Sequence, residues 1–155
     1  MPDRIKLWFR FVPRQGWLPH ETEGLWATPT APGAARVDNA PFLQDGVAEG
    51  DVMSFRTDPD GRHWATGRIT ASGNCTIRVL PVPTGPLGRD PHAVHSHLAR
   101  FGLGGEVFSA EFPLVAFTVP ADGDFAGLKA LLDQRRSEGW WHYEVGCGSD
   151  AWWNA

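Results

Sequence analysis

Three histidines crowd one short stretch, His92, His95 and His97, and their spacing decides what they can hold. The stretch opens with Asp90-Pro91, an N-cap acceptor followed by a proline preset for the first turn of a helix. On that helix His92 and His95 are three apart and share a face. His97 lies about 200° around from His95, so a regular helix cannot bring all three to one ion. His92 and His95, with Asp90 beside them, are therefore the candidate metal ligands, because zinc accepts imidazole nitrogens and a carboxylate. No HExxH-type or CxxC signature accompanies them. The plainer reading is an exposed helix end, and no cofactor is expected.

Cys75 and Cys147 are too few for a disulfide framework and read as free thiols. A nucleophilic role would need an activating base, for which His142 is the candidate. Asn39, Asp51, Ser72 and Asn74 form a candidate polar cluster at one rim of the first half. Each of these residue types also builds turns with its own side chain, and that account comes first for Asp38-Asn39-Ala40-Pro41-Phe42 and Gly50-Asp51. Eight tryptophans remain to be explained. Trp17, Trp26, Trp64, Trp140 and Trp141 are the candidate binding residues, since tryptophan is enriched at binding hot spots. Trp140 and Trp141 are adjacent and cannot both point inward from a strand. Arg56, Arg68 and Arg78, on neighbouring strands, offer either a basic stripe for an acidic partner or a solvated face. No Gly-x-Ser-x-Gly elbow and no phosphate-cradling loop is present. The glycines of 101–105 follow a helix rather than open one.

The elements that must position these groups fall into two halves. Residues 4–12 alternate strictly, with Ile5, Leu7, Phe9 and Phe11 on one face and Lys6, Trp8 and Arg10 on the other, polar one. Strands are expected at 23–29, 34–38, 51–57, 62–71 and 75–82. Asp58-Pro59-Asp60-Gly61 supplies one intervening turn. This antiparallel meander is expected over 1–82, curled into a small barrel or half-barrel. A helix is expected at 91–101, strands at 105–111 and 113–119, a second helix opened by the segment 120–124 and closed by Gly139, and a strand at 140–145. From Cys75 onward the order is β-α-β-β-α-β, a ferredoxin-like unit over 75–147. Strand 75–82 is expected to be shared with the meander, giving one α+β body with a Trp-rich tail at 148–155.

The motifs of this frame resemble a known family. Gly16-Trp17 with Pro19, then Glu23-Gly24-Leu25-Trp26-Ala27, resembles a GWPP…ESLWA opening. Asp38-Asn39-Ala40-Pro41-Phe42 resembles DNxPF, and Gly46-Val47-Ala48-Glu49-Gly50-Asp51-Val52 resembles GVxxGDVV. Ser72 to Val79 resembles SGxSTxRV, and Val119-Pro120 through Leu131-Leu132-Asp133 to Tyr143-Glu144 resembles the ending VPx…LLD…GxWxYEEG. Five motifs in order, over about residues 4 to 147, are similar to the bacterial family catalogued as domain of unknown function 4265. The resemblance implies a small single-domain bacterial protein and carries no assigned site residues. Cys75 where the pattern has serine, the three helix histidines and the tail GSDAWWNA depart from it.

Composition narrows the function classes. The 155 residues are 42% hydrophobic and 21% charged, enough for a core, with a formal net charge of −4. That balance argues against a sequence-independent grip on nucleic acid. No segment is apolar enough to span a bilayer, and the N-terminus does not read as a signal peptide, so a cytoplasmic location and no membrane partner are expected. The leading expectation is a non-catalytic protein- or peptide-binding protein of accessory, regulatory or immunity type, with net acidity steering it toward a basic partner. The alternative is a small enzyme or ligand sensor, with a pocket between the meander and the last strands and with His63, His142, Asp51 or Cys75 as its working groups. The oligomeric state is not legible.

Overall fold

Alternation along the first strand sets the architecture. In the computed structural model, which describes residues 3–13 and 19–155, Ile5–Arg10 forms β1 with Leu7 and Phe9 buried and Lys6, Trp8 and Arg10 turned outward. It pairs antiparallel with β2 (Thr22–Ala31), which pairs with β3 (Ala34–Val37), then β4 (Val52–Thr57), then β5 (His63–Thr70). The turn into β5 forms as the sequence implies: Asp58 Oδ1 accepts from the N–H groups of Asp60 and Arg62, and Gly61 takes φ +87°.

The sheet closes. Leu7 and Trp8 of β1 lie beside His63 and Trp64 of β5 in a parallel pair, completing a five-stranded barrel. The half-barrel alternative and a purely antiparallel meander are thereby corrected. The register shifts twice in the β4–β5 ladder and once in β2–β3, and irregularities of this kind increase the local twist of a sheet and so favour closure. Leu7, Phe9, Leu25, Ala27, Val37 and Met53 fill the interior, and small residues such as Ala27 and Ala35 suit its narrow bore.

The second sheet has the order β7-β8-β6-β9, with neighbours antiparallel. Its strands are β6 (Cys75–Pro81), β7 (Gly104–Val107), β8 (Val115–Val119) and β9 (Trp141–Cys147). The strand expected to be shared with the barrel, β6, sits inside this sheet between β8 and β9. Helix α1 (Pro91–Leu98) is capped by Asp90, which accepts from His92 N–H. It tightens into a 3-10 turn at Ala99–Phe101, where a longer helix is expected from the spacing of its apolar residues. Helix α2 (Phe125–Ser137) is capped by Asp124. Val94, Leu98, Leu128 and Leu132 join Ile77, Val79 and Phe117 in one core, so both helices cover the same sheet face. The tail forms a short helix, α3 (Asp150–Trp153), which plugs Trp152 against Phe125 and leaves Trp153 exposed.

The opposite face of the second sheet receives the loop 38–51 from the barrel. Thr76 Oγ1 donates to Val47 O, and Gly46 N–H donates to Gly146 O. Among the described residues no helix is long and apolar enough to cross a membrane.

Candidate functional site

The groups with the most obvious chemistry do not converge. His92 is exposed on α1, His95 stacks on Phe117 with ring centroids 5.9 Å apart, and His97 meets Trp140 edge-on at 4.9 Å. Among the described residues no group of three or more His, Cys, Asp or Glu is placed to hold a metal ion. Both cysteines are free. Cys75 is buried against Ser149, whose N–H lies 3.5 Å from its sulfur. Cys147 has Arg68 Nη1 at 3.9 Å, yet burial and then the Asp51 carboxylate push its thiol up. His142 stands opposite Leu80 while Cys147 stands opposite Thr76. Five residues of strand, roughly 16 Å, separate them, too far for a base to serve that thiol. His63 is engaged with Thr57 Oγ1 at 2.7 Å, at the far end of β4–β5 from Asp51.

The polar rim cluster is a brace. Asp51 is 1% exposed and accepts from Ala48 N–H, Ser72 N–H and Arg68 Nη1. Ser72 and Asn74 both donate to Glu49 O. Asn39 accepts from Trp26 N–H through Oδ1 and donates to Glu106 through Nδ2, tying the barrel to the edge strand β7. The Glu49 carboxyl is raised by burial and by the negative charges of Glu106 and Asp38.

Two bracing residues escape sequence reasoning. Arg78, placed above on a basic stripe or solvated face, is buried. Its Nε donates to Pro41 O at 3.0 Å, Nη1 donates to Asp45 and Glu144, and Nη2 donates to Gln44 O. Its signal is a lone arginine in the apolar run CTIRVLPV, while the loop 38–51 that covers it is brought there only by the fold. Glu23 accepts from three successive N–H groups, those of Phe42, Leu43 and Gln44, at 2.7–3.0 Å. Arg68 is likewise taken by Asp51. Of the expected stripe, Arg56 stays exposed on the barrel.

The tryptophans divide. Trp141 is wholly buried, with its Nε1–H donating to Leu132 O, so it is core and offers no binding surface. Trp140 is half-buried, with the Arg135 guanidinium 4.1 Å over its ring. Trp17 lies outside the described residues. Trp26 and Trp64 stand on the outer face of the barrel with Trp8, which sequence reasoning assigned only to the polar side of its strand.

On that face cations and indoles interleave. Trp8 and Trp64 are 6.4 Å apart across the β1–β5 closure. Arg62 covers Trp8 at 5.0 Å and Arg10 covers Trp64 at 4.7 Å. Lys6 sits 4.4 Å over Trp26, which is 43% exposed. Gly24 makes this possible: a Cβ there would meet the Lys6 stem at 3.1 Å. Asp58 fixes the other end by accepting Trp64 Nε1–H at 2.8 Å, and that bond holds its carboxyl below the usual range. A cleft of about 540 Å³ opens over Trp64, between Arg10 and Arg56 and beside Thr57 and Thr66.

Comparison with known proteins adds the fold context. A crystal structure of a hypothetical protein from Neisseria gonorrhoeae superposes with a TM-score of 0.72, covering 95% of this chain and 96% of that one at 16% identity. At that identity the likeness speaks for the fold alone. No curated protein matches the chain. The family described as Domain of unknown function (DUF4265) matches residues 23–143, from the Glu23 brace to Tyr143 on the last strand. That span is most of the chain, and the protein belongs to this family.

Proposed function

We propose that the protein is a non-catalytic binder of proteins or peptides and that its working surface is the outer barrel face around Trp26, Trp8 and Trp64. The observation that carries the reading is the aromatic ladder itself. Indoles on an outward strand face contribute nothing to the barrel core, and stacked cations hold them in fixed positions. Closure of the barrel leaves β1 hydrogen-bonded on both sides, so a partner must be read through side chains rather than by strand addition. Asp51 and Cys75 both act on the Cys147 thiol, but His63 lies at the far end of β4–β5 and His142 five strand residues from Cys147, which counts against a site that pairs either histidine with them. The order β6-α1-β7-β8-α2-β9, with sheet order β7-β8-β6-β9, supports reading the second half as a ferredoxin-like unit. Its role is then to carry the barrel in a bacterial cytosol, as a regulatory, accessory or immunity-type protein.

The chain has two lysines, Lys6 on this face and Lys129 on α2, which makes an amine cross-linking test sharp. Immobilised protein captures partners from a bacterial lysate in parallel with a Lys6→Ser, Trp26→Ser variant as control. A partner lost in the variant and cross-linked through Lys6 in the wild type is the expected result. A partner held equally by both proteins, or cross-linked only through Lys129, refutes this surface.

A further inference from the structure

The barrel face has a charge that the whole chain does not. Lys6, Arg10, Arg56 and Arg62 all lie on it, and among the described residues none reaches a carboxylate within ion-pair distance. The outward strand positions Lys6, Trp8, Arg10, Trp26, Arg56 and Trp64 carry no acid. Asp58 lines the cleft, but its carboxylate is already bound by Trp64 Nε1–H and two backbone N–H groups, and Asp38 near Trp26 is ion-paired to Arg4 and Arg36. Among the described residues neither Arg10 nor Arg62, the guanidiniums that lie over Trp64 and Trp8, has a carboxylate partner for its donor edge. That edge suits a carboxylate, and the stacking has already restricted the side chain.

We infer, resting on the reading above, that this face binds an extended acidic peptide segment with carboxylates at positions i and i+4. Lys6 and Arg10 are four residues apart on one strand face, roughly 13 Å at a rise of about 3.3 Å per residue. An extended peptide along β1 repeats its side chains with the same period. One acid then meets Lys6 beside Trp26, and the other enters the cleft between Arg10 and Arg56. The residue at i+2 lies over Trp8 and Trp64 and is apolar. The net charge of −4 disfavours a long polyanion, which would feel the whole molecule, and leaves a short acidic segment that feels the patch.

The test is selection of a phage-displayed library of linear 12-residue peptides against the full-length protein. Recovered peptides are labelled and titrated by fluorescence anisotropy, with a labelled oligothymidylate as the second probe. The expected result is enrichment of Asp or Glu at i and i+4. Affinity should fall at least tenfold in Arg10→Glu and in Arg56→Glu, fall with added salt, and stay near wild type in Arg136→Glu on α2. Thermal melting of each variant confirms folding, and Arg10→Gln serves if a reversal unfolds the barrel. Neutral peptides that bind through Trp26 overturn the acidic inference and leave the peptide-binding reading standing. Acidic peptides indifferent to Arg10 and Arg56, or an oligothymidylate that binds more tightly than any peptide, also overturn it. Recovery of no peptide above background overturns both.

Discussion

Replacing Arg78 with methionine tests whether the two halves are held together by one buried guanidinium. Arg78 has no exposed side-chain surface, whereas the side chains of its partners Asp45 and Glu144 are 63% and 29% exposed. Those carboxylates retain water in the variant, so each counts for about 0–1 kcal/mol, as at a surface. The larger loss comes from Pro41 O and Gln44 O, which lose their donor; an unsatisfied buried carbonyl costs about 1–3 kcal/mol. Packing by the methionine stem offsets part of this, leaving a net loss of about 3 kcal/mol. For a chain of this length that corresponds to a fall of about 6–12 °C in Tm. Gly146 supplies the control. A Cβ there would lie 2.7 Å from the guanidinium carbon, and its φ is not in the left-handed region. Gly146→Ala should therefore cost about 1–3 kcal/mol by overpacking. In the Arg78→Met background the obstacle is gone, and the same change should be close to neutral, a coupling of about 1–2 kcal/mol. Urea denaturation of the four proteins closes the cycle. Additive losses, or an Arg78→Met protein as stable as wild type, would refute the reasoning.

Two further outcomes follow from individual groups. Tyr143 is the single tyrosine, and burial first, then its hydrogen bond to Asp133, pushes its phenol up to about 12. A pKa raised on folding contributes stability fully below the unfolded value near 10 and loses it as pH rises toward 12. Ultraviolet phenolate titration should show the late midpoint, and Asp133→Asn should lower it while leaving it above 10; a wild-type midpoint near 10 refutes the assignment. Glu23→Gln replaces a carboxylate serving three backbone N–H groups with an amide whose NH₂ cannot accept. A loss of about 1–2 kcal/mol in guanidinium denaturation is expected, and an unchanged midpoint would mean that water serves those amides equally well.

Local chemistry carried much of the fold. Alternation in 4–12, the Asp58–Gly61 turn, the Asp90 cap and the spacing of Leu128, Leu131 and Leu132 each act within a few residues, and each formed where expected. The family resemblance was legible because its motifs are short local runs, such as Asp38–Phe42 and Gly46–Val52. The surface was only half legible. Outward placement of Lys6, Trp8 and Arg10 follows from period 2, but their meeting with Trp26 and Trp64 does not, because it depends on which strands become neighbours. Barrel closure through a parallel β1–β5 pair, favoured by irregularities and twist summed over five strands, created that neighbourhood. Long-range burial likewise sorted Trp141 from Trp140 and turned Arg78, Arg68 and Asp51 from candidate binding groups into braces. A residue's type and spacing state which bonds it can make. Which partners come within reach depends on segments distant in the chain, and here these were the loop 38–51 and the closing edge of the barrel.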